Sequence, residues 1–258
     1  MDLNLKGKTA IVTGSTSGIG RVCARQLAAE GVNVVIVGRN DERGNKVVGE
    51  CKAAGADAIF CKTDITDLGE VEATVKAAVD KFGKVDILVH SAAAPFLIMK
   101  LKDLPVDTWD SAIKVAQYGA MYFVKALNET MTAQRSGRII IISSDAGRMG
   151  DAYQPVYSGA KGALIALSKS FAQDLGPAGI TCNCICPALT VTEEDLPMLI
   201  DKYGYGTDEG KKKLTRVYPL RKLGMAEDVA DMAVFLASDR AGHVTGQTIS
   251  VSGGFTMM

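Results

Sequence analysis

The chain has little of several features that mark specialised proteins. Its 258 residues include two histidines and one tryptophan, and its 29 basic and 29 acidic side chains cancel to a net charge of zero. A chain without a basic excess lacks the electrostatic footprint that attracts nucleic acid or acidic membranes. We therefore expect neither nucleic acid nor a membrane among its partners.

Long apolar runs are also missing. None approaches the roughly 20 residues that a helix needs to cross a bilayer. The first segment, MDLNLKGKTAIVTG, lacks the charged start, long apolar middle and cleavage site of a signal peptide, and it enters a strand-like run almost at once. These absences predict a cytoplasmic protein.

Six cysteines are present, and three of them alternate in TCNCICP, residues 181–187. Alternate residues of a strand share one face. With two histidines in the whole chain, a metal site would lack further ligands. We interpret the cysteines as buried or partly buried reduced thiols that pack like small hydrophobic residues, and we predict no metal site. A metal or a disulfide is the less favoured alternative.

Short apolar runs rich in β-branched residues end at turn signals and predict seven strands, at 9–14, 33–38, 58–62, 86–90, 138–143, 180–186 and 246–251. Amphipathic stretches of helical length lie between most of them, for example at 20–31, 41–55 and 67–83. This alternation predicts a parallel sheet covered by helices on both faces. The predicted fold class is α/β: a single doubly wound, Rossmann-type domain over residues 1–258 with a seven-stranded parallel sheet.

One irregular segment, about 188–225, is rich in proline, glycine and charge. It follows a strand, so it is expected at the carboxyl edge of the sheet, where such folds bind ligands. We predict that this insert binds substrate.

A glycine-rich turn, TGSTSGIG, joins the first strand to the first helix and contains Gly14, Gly18 and Gly20. Such a turn aims the free N–H groups and positive dipole end of the helix at a pyrophosphate, and side chains would block that approach. The spacing G-x-x-x-G-x-G differs from the standard G-x-G-x-x-G. Its position in a strand–helix–strand unit nevertheless favours a dinucleotide cofactor over a plain turn.

The end of the second strand, VGRN, indicates which nucleotide is bound. Enzymes that use NAD often carry an acidic residue there for the ribose hydroxyls, whereas this chain has Arg39. A guanidinium suits the 2′-phosphate of NADP. We predict NADP(H) as the preferred cofactor and NAD(H) as the alternative. A solvated surface arginine is the competing interpretation.

Seven short elements follow one another along the chain: TGSTSGIG (13–20), DIT (64–66), VDILV (85–89), Ser144, YSGAK (157–161), ITCNCICPA (180–188) and GQTISVSGG (246–254). Each is weakly specific alone, but together they span the chain. The set resembles the short-chain dehydrogenase/reductase family. This resemblance implies hydride transfer that interconverts a secondary alcohol and a ketone, with NAD(P)(H) as cofactor.

The resemblance also implies roles for individual residues. Tyr157 would be the general acid/base, and Ser144 would hold the substrate oxygen by a hydrogen bond. Lys161, one helical turn later, would bind the nicotinamide ribose and, together with the oxidised nicotinamide, lower the pKa of the phenol from about 10. The cofactor-binding residues would be Gly14, Ser17, Gly18, Ile19, Gly20, Arg39, Asp64, Ile65, His90, Ala92, Tyr157, Lys161 and Pro187. Without the resemblance, we would favour a purely structural interpretation, in which Tyr157 packs at a helix start, Lys161 is solvated and Ser144 ends a strand.

Two positions depart from the family pattern. After the fourth strand the family usually has Asn-Asn-Ala-Gly, and this chain has His90-Ser91-Ala92-Ala93. We expect His90 to be structural and to offer backbone contacts. On the next long helix, Ala116 replaces an asparagine that often helps to hold a proton-relaying water. This loss leaves open an alternative function, a catalytically impaired subunit that serves as scaffold for an active homologous partner in a hetero-oligomer.

Within the family, the segment SSDAGRMG, the insert and the tail VSGGFTMM are similar to those of hydroxyacyl-thioester dehydrogenases and 3-oxoacyl reductases. A hydroxyacyl-CoA or 3-oxoacyl thioester is therefore one substrate class, beside sugars, steroids and simple alcohols. Apolar residues at 196–205 are candidates for a lid. Candidates for contacts with CoA phosphates are Lys211, Lys212, Lys213 and Arg216, with a solvated helix as the alternative.

Small residues gather near the start of the helix predicted after Tyr157, and small side chains allow another helix to pack closely. The family commonly pairs such helices between subunits and forms tetramers through the last strand. We predict a homotetramer or a dimer.

Overall fold

Seven parallel strands form one sheet in the computed structural model, which describes residues 2–95 and 97–258. Met1 and Phe96 of the predicted domain lie outside the described residues. The described residues form nine strands, seven in this sheet and two, β7 and β8, in a second one: β1 Thr9–Thr13, β2 Asn33–Gly38, β3 Ala58–Lys62, β4 Ile87–His90, β5 Gly137–Ile142, β6 Ile180–Pro187, β7 Thr190–Val191, β8 Gly224–Met225 and β9 Thr248–Val251. The order in the main sheet is β3-β2-β1-β4-β5-β6-β9. The predicted strands are all found, with ends displaced by at most two residues.

Helices connect these strands. They are α1 Gly18–Ala29, α2 Asp41–Ala53, α3 Leu68–Phe82, α4 Trp109–Ile113, α5 Gly119–Gln134, α6 Ala146–Met149, α7 Pro155–Leu175, α8 Leu196–Tyr203, α9 Asp208–Thr215 and α10 Ala226–Ala237. A π-helical segment, Lys114–Tyr118, joins α4 to α5. Across the described residues, the helices are too short or too polar for one of them to cross a membrane.

Local signals begin and end the helices where the sequence places them. The side chain of Asp67 accepts a hydrogen bond from the Glu70 N–H, 2.9 Å away, and so caps the start of α3. Gly83 ends the same helix with φ of 78°, a left-handed conformation that costs a glycine little. Between these ends, Val71, Val75 and Ala78 form the buried stripe of the helix.

The sheet separates two apolar cores. One core packs residues of α1, α2 and α10 against the sheet, and the other packs α3, α5 and α7 against its opposite face. The doubly wound α/β architecture predicted from the strand–helix alternation is thus confirmed. β1 pairs with β2 on one side and β4 on the other, so the strand order reverses beside β1. Ligands of such sheets bind in the crevice outside the carboxyl ends of the strands at this switch point.

The insert at 188–225 has its own small architecture. β7 and β8 form a two-stranded parallel sheet, and α8 and α9 lie between them along the chain. A separate apolar cluster around Leu199, Tyr218 and Leu223 holds these pieces together. The sequence predicted the position of the insert after β6, but not these elements.

Candidate active site

A cavity of about 1150 Å³ lies at the carboxyl edge of the sheet. It is lined by all the predicted catalytic residues and, except for His90, by all the predicted cofactor-binding residues: Gly14, Ser17, Gly18, Ile19, Gly20, Arg39, Asp64, Ile65, Ala92, Ser144, Tyr157, Lys161 and Pro187. The fold therefore brings together groups that lie far apart in the sequence.

The glycine turn is built by close backbone contacts. A Cβ atom on Gly14 would lie 2.7 Å from the Ala92 Cα, and Gly14 also has φ of 64°. A Cβ on Gly20 would lie 2.5 Å from the Gly14 carbonyl oxygen. Ser17 is the N-cap residue of α1, and its side chain makes no capping hydrogen bond. The first turn of α1 is therefore open toward the cavity, as an anionic pyrophosphate requires.

Two guanidinium groups line the cavity beyond the end of β2. Arg39 was predicted there, and Arg43, in the first turn of α2, was not. The sequence signal that could have identified Arg43 is Asn40. The Asn40 side chain accepts a hydrogen bond from the Arg43 N–H and caps α2, so Arg43 lies in the first turn of the helix, four residues after Arg39. The acidic side chain of Asp41, close to both arginines in the sequence, is paired with Lys62 instead, with 2.7 Å between the Lys62 Nζ and a carboxylate oxygen.

Asp64 forms a local turn beside these arginines. Its carboxylate accepts hydrogen bonds from the backbone N–H and hydroxyl of Thr66, at 2.9 and 2.8 Å. These bonds lower the pKa of Asp64, and the charge of Arg39 lowers it further. The carboxylate is thus fixed and ionised on the cavity wall.

The three predicted catalytic side chains meet where β5 ends and α7 begins. A hydrogen bond joins Tyr157 to Ser144. The Lys161 ammonium lies 5.9 Å from the centroid of the Tyr157 ring and donates a hydrogen bond to the Ile142 carbonyl oxygen, 2.8 Å away. Pro155 occupies the first turn of α7, where its missing N–H costs nothing, so Tyr157 and Lys161 are presented from a rigid helix.

Burial governs the electrostatics of this group. It raises the pKa of Tyr157, and the hydrogen bond with Ser144 offsets only part of that rise. Burial also lowers the pKa of Lys161 to about 8. Within the chain itself desolvation is the larger effect on the phenol, and the ammonium is directed to Ile142. The lowering of the phenol pKa by Lys161 together with the oxidised nicotinamide stays a prediction.

His90 lies beneath the cavity rather than in its wall. Its imidazole is fully buried, with Nδ1 3.1 Å from the hydroxyl of Thr13. That hydroxyl also accepts from the N–H groups of Ser91 and Ala92, at 3.1 and 3.2 Å. Because both lone pairs of the oxygen are then used, we infer that Thr13 donates its proton to Nδ1. Through the Thr13 hydroxyl, His90 supports the loop that carries Ser91 and Ala92 into the cavity wall.

The other nitrogen of His90 then carries the proton of the neutral ring. Burial and the nearby charge of Lys161 lower the pKa of His90 to about 3, while the Ala116 carbonyl works in the opposite direction. No atom of the described chain completes a well-aligned hydrogen bond to Nε2. Ala116 itself is buried in the π-helical segment, next to Val115, which lines the cavity.

Part of the cavity wall near Tyr157 was not expected from the sequence. It is lined by Ile98, Asp151, Gln154 and Phe255, beside Leu189 and Tyr218 of the predicted insert. Asp151 and Gln154 belong to the loop between α6 and α7, where the only signals were Gly150 and the start of a helix at Pro155. A smaller cavity of about 170 Å³, with mostly apolar walls, adjoins this region and shares Gln154 and Tyr157 with it.

The insert was predicted to bind substrate, and this role stays a prediction. Of its described residues, those that line the main cavity are Ala188, Leu189, Thr190 and Tyr218. The candidate lid, 196–205, lies elsewhere, with Leu199 buried in the insert's own core. The exposed side chains of Lys211, Lys212, Lys213 and Arg216 also lie off the cavity wall.

The cysteines are free thiols, five of them buried and Cys61 partly buried. Cys182, Cys184 and Cys186 all point into the same core, as the alternation predicted. Over residues 2–95 and 97–258, no group of three or more His, Cys, Asp or Glu side chains is arranged to hold a metal ion.

Comparison with known protein families gives one match over nearly the whole chain. The family model described as enoyl-(acyl carrier protein) reductase matches residues 14–256.

Two curated relatives are similar in sequence over almost their full length. The 3-oxoacyl-(acyl-carrier-protein) reductase FabG of Staphylococcus aureus is 37% identical over 97% of this chain and 98% of its own. The L-rhamnose 1-dehydrogenase (NAD(P)(+)) of a Sphingomonas species is 37% identical over 97% of this chain and 96% of its own.

Two solved structures share the fold. NAD+-bound xylitol dehydrogenase is 28% identical, with a TM-score of 0.89 over 97% of this chain and all of the other. A short-chain type dehydrogenase/reductase from Mycobacterium ulcerans is 32% identical, with a TM-score of 0.89 over 97% of this chain and 90% of the other.

Proposed function

Because the chain belongs to the short-chain dehydrogenase/reductase family, we propose that Tyr157, Ser144 and Lys161 form its catalytic site. The chain is an NAD(P)-dependent oxidoreductase that interconverts an alcohol and a ketone. When bound, the nicotinamide supplies or accepts the hydride. One observation carries the proposal: the three side chains meet on the wall of a cavity whose glycine turn leaves room for a dinucleotide.

The residues of the cofactor side fit NADP(H) as the preferred cofactor, with NAD(H) as the alternative. The open first turn of α1 and Ser17 would hold the pyrophosphate. Arg39 and Arg43 would bind the 2′-phosphate, for which two guanidinium groups are better suited than one. Asp64 would contact the adenosine, and the backbone of Ala92 would close the turn from the other side.

Tyr157 would exchange the proton while Ser144 binds the same substrate oxygen. Burial keeps the phenol protonated at neutral pH, which prepares it to donate to a carbonyl oxygen in the reductive direction. In the oxidative direction Tyr157 must act as a base, and positive charge near the phenol would favour that form. Lys161 would hold the nicotinamide ribose from its fixed position beside Ile142.

The substrate class is proposed from the relatives. The match to FabG favours a 3-oxoacyl or hydroxyacyl thioester, and we propose this class as a substrate of the chain. The rhamnose and xylitol dehydrogenases favour a polyhydroxylated substrate instead. Both classes present a secondary alcohol or ketone to the same catalytic group.

A second function rests on the substitution at Ala116. Without a polar side chain at that position, proton exchange with Lys161 would be slowed, and the chain could serve as a scaffold for an active homologous subunit. The meeting of Tyr157, Ser144 and Lys161 counts against this alternative.

One experiment separates the two functions. The isolated chain is mixed with NADPH or NADH and a panel of ketones that includes 3-oxoacyl thioesters and hydroxyketones, and cofactor oxidation is followed. We expect turnover that Tyr157→Phe lowers by at least about 100-fold. The melting temperature should still rise with NADP+ in both proteins. Cofactor binding without turnover of any ketone would favour the scaffold, and full activity of Tyr157→Phe would contradict the mechanism.

We also propose that the chain forms a homotetramer or a dimer. The exposed Gly159 on α7 has no atom within 4 Å of the place a Cβ would occupy, so another helix can approach this part of α7 closely. The molar mass in solution, from light scattering, tests this proposal, and a monomer at micromolar concentration would contradict it.

A further inference from the structure

The loop between α6 and α7 adopts a conformation that its residues do not favour. Gly150 has φ of 73°, and Tyr153, which is not a glycine, has φ of 66°. A left-handed conformation is unfavourable for a tyrosine and persists only when its surroundings impose it. The carbonyl oxygen of Tyr153 accepts from the Met99 N–H at 2.9 Å, and the Asp151 N–H donates to the Ser158 hydroxyl at 3.1 Å. The loop is therefore held in place from both sides.

This conformation directs two polar side chains to the cavity near Tyr157. Asp151 and Gln154 both line it. Gln154 is the N-cap residue of α7, but its side chain makes no capping hydrogen bond. In residues 2–95 and 97–258, the backbone of Asp151 is hydrogen-bonded while its carboxylate enters neither a hydrogen bond nor an ion pair. Among the described residues, the fold thus engages neither side chain in a hydrogen bond or an ion pair.

The negative charge of Asp151 acts on two tyrosines of the cavity wall. Burial is the main cause of the raised pKa of Tyr157 and of Tyr218, and the charge of Asp151 raises both further. An ionised carboxylate only accepts hydrogen bonds, so it attracts a donor and repels a substrate group that is anionic or carries only acceptors. The nearest cation on α6, Arg148, is directed to backbone carbonyls of Thr248 and Met258 instead.

We propose that Asp151, assisted by Gln154, is a specificity-determining residue that selects a substrate with a hydroxyl group on a carbon close to the reacting carbonyl. The class is that of hydroxyketones and their diols. The inference rests on the proposed oxidoreductase function and narrows its substrate. A hydrogen bond to a charged acceptor should raise kcat/KM by about 10- to 100-fold for a substrate with the hydroxyl over one without it.

A matched pair of small ketones tests the inference directly. 3-Hydroxybutan-2-one carries the hydroxyl, and butanone lacks it. Both are reduced with NADPH by the unaltered protein, by Asp151→Asn and by the control Asp174→Asn, which removes an exposed charge from the far end of α7. We expect kcat/KM for the hydroxyketone to exceed that for butanone, and Asp151→Asn to lower the first by about 10- to 100-fold and the second by less than about threefold. Asp174→Asn should change neither.

A pH profile gives a second readout that a purely structural role would not move. The groups facing Tyr157 are Asp151, Ser144, Lys161 and Cys186. Because the Asp151 charge raises the pKa of the phenol, Asp151→Asn should shift the Tyr157 limb of the profile to lower pH with both ketones. The melting temperature and the affinity for NADP+ should stay unchanged, since the fold does not use the carboxylate.

The outcomes separate the two levels of the proposal. Equal losses on both ketones, or a preference for butanone, would overturn the selection of a hydroxyl while leaving the oxidoreductase function standing. A preference for the amine 3-aminobutan-2-ol over butane-2,3-diol in the oxidative direction would overturn the hydroxyl class in favour of a cation. Failure to turn over the pair and the whole ketone panel would overturn the proposed function and this inference with it.

Discussion

The two sides of the main cavity are built by different means. On the cofactor side, the β1–α1 turn and the end of β4 meet backbone to backbone, and a Cβ on Gly14 would lie 2.7 Å from Ala92. On the substrate side, side chains from loops form the wall, and several are substantially exposed, such as Leu189 at 47%. This difference agrees with the proposed roles: a cofactor shared by many enzymes would be recognised by backbone shape, and a substrate that varies by side chains that can be exchanged.

The largest effect should come from filling the space on the cofactor side. Gly14 and Gly83 both have positive φ, 64° and 78°, but of the two only Gly14 abuts another backbone segment. We expect Gly14→Ala to cost about 3 kcal/mol or more and to weaken NADP+ binding severely. Gly83→Ala, its matched control at the end of α3, should cost about 1 kcal/mol from strain alone. Urea denaturation and cofactor titration measure both, and equal costs would contradict the close backbone approach at Gly14.

The buried imidazole beneath the cofactor side should make stability depend on pH. The folded pKa of His90, about 3, is lower than its ordinary value near 6.5, so the unfolded chain binds the proton first. The neutral imidazole contributes fully to the free energy of unfolding above pH 6.5, and this contribution is lost as the pH falls toward 3. The loss between pH 7 and pH 5 is about 2 kcal/mol.

The variant His90→Asn should therefore flatten the decline in unfolding free energy between pH 7 and 5, although its stability will be lower throughout. His243→Asn, at an exposed position, serves as control and should keep the original slope. Urea titrations at three pH values are sufficient. An unchanged slope in His90→Asn would show that the imidazole is not the group that titrates.

An intermediate effect is expected at the arginines, where the cofactor side also depends on side chains. Arg39→Leu and Arg43→Leu should each raise the KM for NADPH by about 10- to 100-fold and leave that for NADH within about threefold. Lys46→Leu, an exposed change on the same helix, should leave both constants alone. Steady-state kinetics with NADPH and NADH test this prediction, and an equal rise in the KM for NADH would argue against a 2′-phosphate site.

The smallest effect is expected where the insert touches the cofactor side. Arg21 of α1 binds Glu50 at 2.7 Å and also pairs with Glu194 of the insert, whose side chain is 61% exposed. Exposed ion pairs contribute little, so Glu194→Gln should lower stability by less than about 1 kcal/mol. A larger loss, measured by urea denaturation in low salt, would mean that the insert and α1 depend on each other more than this contact indicates.

The fold was predictable because the inner strands β1, β4, β5 and β6 are buried on both faces and read as nearly continuous apolar runs. That same continuity hid which way single side chains point: His90 was expected to be structural, but its contact with the Thr13 hydroxyl could not be foreseen. The π-helical segment and the short pair β7–β8 depend on tertiary contacts that leave no local pattern.

The site was predictable to the extent that its chemistry uses fixed spacings. Tyr157 and Lys161 are one helical turn apart, and Ser144 follows a strand, so their meeting was expected from sequence. The pKa of Tyr157 was not, because it depends on how deeply the phenol is buried and on the carbonyl that Lys161 selects. Asp151 was missed because an acid in a loop carries no pattern of its own.

The central position of β1 has a consequence for how the molecule is made. Its partners β2 and β4, and the neighbouring β3, all precede β5 in the chain. Because a ribosome releases the N-terminal end first, these four strands can pair before Tyr157 has been translated. Strands β1 to β4 then offer the free edge of β4 as a template, and the strands and helices that carry Ser144, Tyr157 and Lys161 are added to it last.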